Sequence, residues 1–258
     1  MPYFVHHDRR LFYRQQGSGP LLLILPGNTS SSATHQSELA HFGQRYHAVA
    51  LDFWGTGRSD RAETWPDDWW AQGARDAATL VKHLGYKECL AVGSSGGGVV
   101  ALLMAIQFPG YVRAVIADSC VERLPPERLR AEVATRARRT PEQAAFWRCA
   151  HGDDWQQVVD ADSHRLLRLA QRGGDWFGGR LGEVRCPVLF TASLRDDALP
   201  DVTQQVCGMA SQIRGSRIFF ASEGGHPLMW SRPEDLKQAA DCFLAALGDE
   251  RADWNFKD

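Results

Sequence analysis

The sequence lacks the features that mark several specialised classes of protein. Its formal net charge is only −2 over 258 residues, so it carries no excess of positive charge with which to hold nucleic acid. None of its six cysteines forms a Cys-x-x-Cys pair, which argues against a zinc or redox motif and favours reduced thiols in a cytoplasmic protein. The early apolar run at residues 21–25 has five residues, whereas a membrane-spanning helix needs about 18. Glycine and proline flank that run, as expected of a strand rather than of a signal peptide, and we predict neither a membrane nor a nucleic-acid partner.

What the sequence does contain is an alternation of short apolar runs and helical patterns. Its 258 residues suit one large domain, since single cores stop growing near about 250–300 residues. Strand-like runs lie at residues 21–25, 47–53, 89–92, 112–117, 187–192 and 217–221. This alternation predicts an α/β fold with a mostly parallel central sheet and helices on both faces. Residues 3–16 are expected to add an antiparallel hairpin at one edge.

One long segment interrupts the alternation. Residues 121–183 show no strand pattern but contain several prolines and helix-compatible stretches. We interpret them as a helical cap over the carboxyl edge of the sheet, where ligands bind in open α/β sheets. Residues 1–120 and 184–258 then form the core. In the last helix of the core, Ser231 and Glu234 have the spacing of a capping box.

The first motif that carries chemistry is Gly-Ser-Ser-Gly-Gly at residues 93–97, which matches Gly-x-Ser-x-Gly. It lies between a predicted strand and a predicted helix. Glycines on both sides of Ser95 let the strand and the helix approach closely, so that the serine sits on a sharp turn with its hydroxyl exposed. Ser95 is therefore the candidate nucleophile.

A serine nucleophile needs a base and an acid, and both follow later strands. Serine reacts well only when an imidazole takes its proton and a carboxylate orients that imidazole. His226 follows a strand and a Gly-Gly turn, and Asp196 follows the strand before it. The order serine, aspartate, histidine is the one found in α/β-hydrolases. Asp197 and Asp118 are alternative acids.

A nucleophilic serine also needs two backbone N–H donors for the oxyanion that develops when it attacks. One should be the amide of Gly96, directly after the nucleophile. The other should come from the loop after the first long strand, through Asn28 or its neighbour Thr29. We expect the amide of Asn28 to be the second donor.

Together these motifs resemble the α/β-hydrolase superfamily over essentially the whole chain. LLLILPGN, ALDFWGTGRSD, VGSSGGG, CPVLFTASLRDDALP and EGGHP follow in family order. Within the superfamily the chain looks most like the valacyclovir-hydrolase (biphenyl-hydrolase-like) group of serine hydrolases. That resemblance implies ester hydrolysis. In the best-known members an acidic residue after the nucleophile holds the ammonium of an amino ester, but here Gly96 stands at that position, so amino-ester specificity is not carried over.

We therefore expect a serine hydrolase that cleaves a small, largely apolar carboxylic ester through an acyl-enzyme, with a small molecule as its substrate. Neither a metal ion nor an organic cofactor is implied. Trp147 and Trp176 in the cap are candidate substrate contacts, and a cap arginine could hold an anionic group. Two alternatives stay open: a C–C bond hydrolase of ring-cleavage products, and a ligand receptor built on a hydrolase fold.

Overall fold

The structure, a computed structural model, describes residues 2–247 and forms from them one eight-stranded sheet and nine α-helices. The strands are β1 Tyr3–His6, β2 Arg9–Gln16, β3 Leu21–Leu25, β4 His47–Leu51, β5 Cys89–Ser94, β6 Val112–Asp118, β7 Val188–Ser193 and β8 Arg217–Ala221. The helices are α1 Gln36–Phe42, α2 Trp69–His83, α3 Gly96–Gln107, α4 Pro126–Ala137, α5 Pro141–His151, α6 Trp155–Gln171, α7 Val202–Gln212, α8 Leu228–Ser231 and α9 Pro233–Ala246. Residue 1 and residues 248–258, which were assigned to the core, lie outside the described residues.

The sheet is mostly parallel, and its strand order is β1-β2-β4-β3-β5-β6-β7-β8. β1 and β2 form the expected antiparallel hairpin, and β2 also pairs antiparallel with β4. From β4 to β8 every neighbouring pair of strands is parallel. The loops after β3, β5, β7 and β8 therefore leave the sheet at one edge, which brings the four predicted motifs together.

Helices cover both faces of the sheet, as the burial of β3 shows. All five of its residues are buried, as expected of a strand that is covered by helices on both faces of the sheet. Successive side chains point to opposite faces. Leu21, Leu23 and Leu25 pack into the cluster that contains α2 and α3, whereas Leu22 and Ile24 pack into the cluster that contains α1 and α9. These features confirm the predicted fold class.

The segment between β6 and β7 is helical. It contains α4, α5 and α6, and α4 packs along α6. We keep the name cap for residues 121–183; that they form a separate unit stays a prediction. Helix α5 begins with a capping box, in which the Thr140 hydroxyl accepts from the Gln143 amide at 3.3 Å and the Gln143 side chain accepts from the Thr140 amide at 3.0 Å.

The capping box predicted at Ser231 is wrong. Helix α9 begins at Pro233, so Arg232 rather than Ser231 is its N-cap residue, and no side chain caps it. The Ser231 hydroxyl instead donates to the carbonyl oxygens of Gly225 at 2.8 Å and Pro227 at 3.0 Å. It thereby closes the turn after β8 rather than opening the last helix.

No helix within residues 2–247 has both the length and the apolar character needed to cross a bilayer. All six cysteines of the sequence lie in this range and are free thiols.

Candidate active site

Ser95 stands on a strained turn between β5 and α3. Its φ of 52° and ψ of −121° lie outside the regions that residues with side chains normally occupy. The flanking glycines make this turn possible. A Cβ on Gly93 would lie 2.1 Å from the Gly97 oxygen, and a Cβ on Gly97 would lie 1.9 Å from the Leu25 oxygen. Only residues without side chains allow so close an approach of strand, turn and helix.

The structure brings His226 and Asp196 into line with Ser95. The Nε2 atom of His226 lies 2.9 Å from the Ser95 hydroxyl, and its Nδ1 atom lies 2.9 Å from Asp196 Oδ2. Because an ionised carboxylate only accepts, Nδ1 carries the proton and Nε2 is left to accept from the serine. The other oxygen of Asp196 accepts from the backbone amides of Ala198 at 3.0 Å and Leu199 at 2.9 Å.

The surroundings of His226 favour its protonated form. Burial lowers the pKa of the imidazole, but the hydrogen bond and the charge of Asp196 raise it by more, with a further contribution from Asp118. The pKa of His226 is therefore above its ordinary value of 6.5. A base whose pKa rises toward neutrality takes a proton from a hydroxyl more readily.

The two alternative acids lie near the histidine but do not contact its ring. Asp197 accepts from the backbone amide of His226 at 3.0 Å. Asp118 is fully buried at the end of β6, where it accepts from the Thr191 hydroxyl at 2.7 Å and the Met229 amide at 3.0 Å. Burial raises the pKa of Asp118 to about 7. Their contacts give both residues a part in holding the loop around His226.

The two residues predicted to supply the oxyanion donors, Gly96 and Asn28, lie side by side next to Ser95. An added Cβ on Gly96 would lie 3.3 Å from the Asn28 amide nitrogen, so the two predicted donors are neighbours. Within residues 2–247 neither amide donates to a protein group. The same Cβ would lie only 2.2 Å from Asn28 Oδ1, so any residue with a side chain at position 96 would require the Asn28 side chain to move. The Asn28 side chain is engaged elsewhere: its Oδ1 accepts from Trp70 at 3.2 Å and from Arg165 at 3.1 Å.

A cavity of about 170 Å³ opens onto Ser95 and His226. Its walls combine the turn residues with apolar and charged side chains of the cap and of neighbouring loops. They are Asn28, Thr29, Gly96, Val99, Ser119, Cys120, Val121, Leu124, Arg128, Leu129, Glu132, Arg136, Leu166, Trp176, Ala198 and Leu199.

The two cap tryptophans that were candidate substrate contacts, Trp147 and Trp176, differ in their relation to this cavity. Trp176 lines it and packs edge-on against Trp70, and its contact with a substrate stays a prediction. Trp147 does not line it, because its indole stacks on Trp155 and its N–H donates to the Thr29 hydroxyl at 3.2 Å. Its sequence environment gave no sign that it faces a loop of the core rather than a substrate.

The fold and this constellation agree with the comparisons with known proteins. The profile of the alpha/beta hydrolase family matches residues 22–239, which is most of the chain. The chain belongs to the alpha/beta hydrolase family. It is accordingly a hydrolase, and the matched residues run from within β3 to within α9 and include Ser95, Asp196 and His226.

Sequence relatives of this hydrolase indicate which group of the alpha/beta hydrolase family it resembles. Serine hydrolase BPHL of Mus musculus is 27% identical over 248 residues, which cover 91% of this chain and 82% of that protein. The Homo sapiens protein of the same name is 27% identical over 247 residues, 91% of this chain and 83% of its own. These likenesses confirm the predicted resemblance to the biphenyl-hydrolase-like group. The enol-lactonase from Burkholderia xenovorans LB400 has the same fold, with a TM-score of 0.76 at 17% identity and coverage of 95% of this chain and 100% of that one.

An ionic cluster that was not predicted from the sequence lies on the cap side of the site of this hydrolase. Arg136, which lines the cavity, donates to Glu132 at 2.8 Å and to the buried Asp162, and Arg165 donates to the same Asp162. Arg165 is fully buried, and burial lowers its pKa to about 10. Its guanidinium lies 3.6 Å from the centre of the Trp70 ring. The spacing of Asp162 and Arg165 on one helix face was the available signal.

His151, at the end of α5, is a second residue near the site that was not predicted from the sequence. Its Nδ1 accepts from the Gly57 amide at 3.0 Å, so Nε2 carries the proton and donates to the Thr29 carbonyl at 3.0 Å. Burial lowers the pKa of His151 to about 4, so the ring is neutral. Nothing in the sequence around this residue distinguishes it from a solvated surface histidine. Within residues 2–247 no group of histidine, cysteine and acidic side chains is arranged to hold a metal ion.

Proposed function

We propose that this hydrolase cleaves a small, largely apolar carboxylic ester through an acyl-enzyme formed on Ser95. The observation that carries the proposal is the unbroken chain of two hydrogen bonds, each 2.9 Å long, from Ser95 through His226 to Asp196. A serine at this turn forms acyl intermediates, whereas alkyl-ester chemistry on the same fold would need a carboxylate there. Ester, thioester and lactone substrates all fit that requirement.

The geometry supports a two-step reaction. In the first step the Ser95 oxygen bonds to the ester carbonyl carbon while its proton passes to His226 Nε2. The amides of Gly96 and Asn28 hold the resulting oxyanion. The carbon–oxygen bond to the alcohol then breaks as Nε2 returns the proton to the leaving oxygen. In the second step water attacks the acyl-enzyme by the same route and releases the acid.

The cavity supports a small substrate with an apolar acyl or alcohol part. Its volume of about 170 Å³ holds only a short chain or a single ring. Apolar side chains from the cap and from α3 form much of its wall, including Val99, Leu129 and Trp176. The proposal is in keeping with the serine hydrolase BPHL as a relative and with an enol-lactonase as a neighbour in fold. A cytoplasmic location and independence of cofactors stay predictions.

A burst assay with p-nitrophenyl acetate and butyrate tests the proposal. The wild type should turn over both esters, and Ser95→Ala should lose activity by about a thousandfold or more. Ser94→Ala is the matched control, because Ser94 is the adjacent buried serine and its hydroxyl has no partner in the described structure. It should retain most of the activity.

Equal inertness of the wild type and Ser95→Ala toward esters would overturn the ester proposal. A vinylogous diketone would then test for C–C bond hydrolysis. Slow or single turnover with tight binding would instead indicate a receptor.

A further inference from the structure

The loop that carries the second oxyanion donor is strained at one residue. Thr29 follows Asn28 and has a φ of 56°, in the left-handed region. A β-branched residue is rarely found there, because its side chain crowds the backbone. Thr29 is also buried, with 5% of its surface exposed. Such a conformation persists only where neighbouring groups hold it in place.

The neighbouring groups come from the last turns of α5 in the cap. The Trp147 indole N–H donates to the Thr29 hydroxyl at 3.2 Å, and His151 Nε2 donates to the Thr29 carbonyl at 3.0 Å. Two residues further on, the Ser31 hydroxyl donates to the Ala150 carbonyl at 2.7 Å. The cap thus forms three hydrogen bonds with this loop.

One of these contacts continues to the donor residue itself. The Thr29 hydroxyl accepts from Trp147 and donates its own proton to the Asn28 carbonyl at 2.7 Å. A single chain of hydrogen bonds therefore runs from the cap to the backbone of Asn28. Trp147 is 4% exposed and does not line the cavity, so it reaches the reaction only through this chain.

We propose that Trp147 is a positioning residue that fixes the oxyanion donor from the cap: its indole N–H holds Thr29, and Thr29 holds the Asn28 amide toward the oxygen of the tetrahedral intermediate. The inference rests on the proposed ester hydrolysis. Donors help catalysis most when they are fixed before the charge develops, and a small displacement of a donor lowers the rate steeply. Trp147 therefore supports the transition state without binding the substrate.

The test compares Trp147→Phe with Trp155→Phe. Each variant removes one indole N–H from the same stacked pair, whose ring centres lie 5.4 Å apart. The N–H of Trp155 is buried but has no hydrogen-bond partner in the described structure, so its removal breaks no hydrogen bond. Thermal unfolding of both proteins checks that the two folds are comparably stable.

Trp147→Phe should lower kcat for p-nitrophenyl butyrate by about tenfold and change KM by less than about twofold, because a donor is misplaced while the cavity is intact. Trp155→Phe should change neither value by more than about twofold. A boronic acid that bonds to the Ser95 oxygen forms a tetrahedral adduct, so its Ki should rise in Trp147→Phe in parallel with the fall in kcat.

Thr29→Val tests the same contact from its other end. It should also lower kcat, and combining it with Trp147→Phe should cost little more than Thr29→Val alone, because both remove one chain of hydrogen bonds. Equal kcat in Trp147→Phe and Trp155→Phe, a rise in KM alone, or additive effects in the double variant would overturn the inference. If Ser95→Ala matches the wild type in the same assay, the proposed function fails instead.

Discussion

Acid should destabilise this hydrolase through His151, and the size of the effect follows from its burial. Burial is the main cause that lowers the pKa of His151 to about 4, against an ordinary value of 6.5. The nearby charge of Arg61 lowers it further, while the Thr29 carbonyl, Asp154 and Asp162 oppose the shift. The unfolded chain therefore binds this proton first as the pH falls. The contribution of neutral His151 to the free energy of unfolding is present above pH 6.5 and is lost as the pH drops toward 4.

The size of the pKa shift of His151 sets the size of the stability loss. The fall in the pKa of His151 from 6.5 to about 4, at about 1.36 kcal/mol for each pH unit, limits the total loss to about 3 kcal/mol. Between pH 7 and pH 4.5 the linkage relation gives a loss of about 2 kcal/mol in the free energy of unfolding from this residue. Other groups also titrate in this range, including Asp118, whose raised pKa acts in the opposite direction.

Comparison with His151→Gln isolates the contribution of the histidine. Glutamine retains a donor and an acceptor but does not titrate, and all other groups are shared between the two proteins. Urea unfolding followed by tryptophan fluorescence at pH 7 and pH 4.5 gives the four free energies. The wild type should lose about 2 kcal/mol more than the variant on acidification. Equal losses in the two proteins would refute the reasoning that the ring is held neutral by burial.

Three further predictions concern the reaction itself. Gly96→Ala should lower kcat by about a hundredfold, measured with p-nitrophenyl butyrate, because the new Cβ would collide with Asn28 Oδ1 at 2.2 Å. Asp196→Asn should lower kcat by up to about ten-thousandfold, whereas Asp118→Asn should lower it by less than about tenfold, since only Asp196 bonds to the imidazole. The pH profile of kcat/KM should rise through a midpoint above 6.5, because the raised pKa of His226 keeps the base protonated at lower pH, and a midpoint at or below that value would contradict this account.

The sheet and the motifs at its edge could be predicted because their signals are local. The apolar runs that became β3 to β8 are bounded by glycine, proline or polar residues, and parallel strands place their carboxyl ends together whatever the side chains are. Ser95, Asp196 and His226 each stand just beyond such a run. Their meeting at hydrogen-bonding distance is a consequence of topology, which a single sequence reveals through order and spacing.

The contacts of the cap could not be predicted, because they depend on how its helices dock on the core. Trp147 lies 118 positions from Thr29 along the chain, and His151 lies 94 positions from Gly57. Nothing local indicates which face of α5 meets which loop. The capping box predicted at Ser231 was wrong for a related reason. Ser231 has the spacing of a cap residue, but its hydroxyl donates instead to two carbonyl oxygens in its own turn.

The same dependence on docking gives the cap a physical connection to the chemistry. A cap that only covered the cavity could shift without changing the oxyanion site, but here α5 bonds directly to the loop of Asn28, and Arg165 of α6 bonds to the Asn28 side chain. Any movement of these helices must either carry that loop along or break hydrogen bonds to groups that are otherwise buried, which is costly. Substitutions that loosen the cap should therefore lower kcat even where they leave every residue that lines the cavity unchanged.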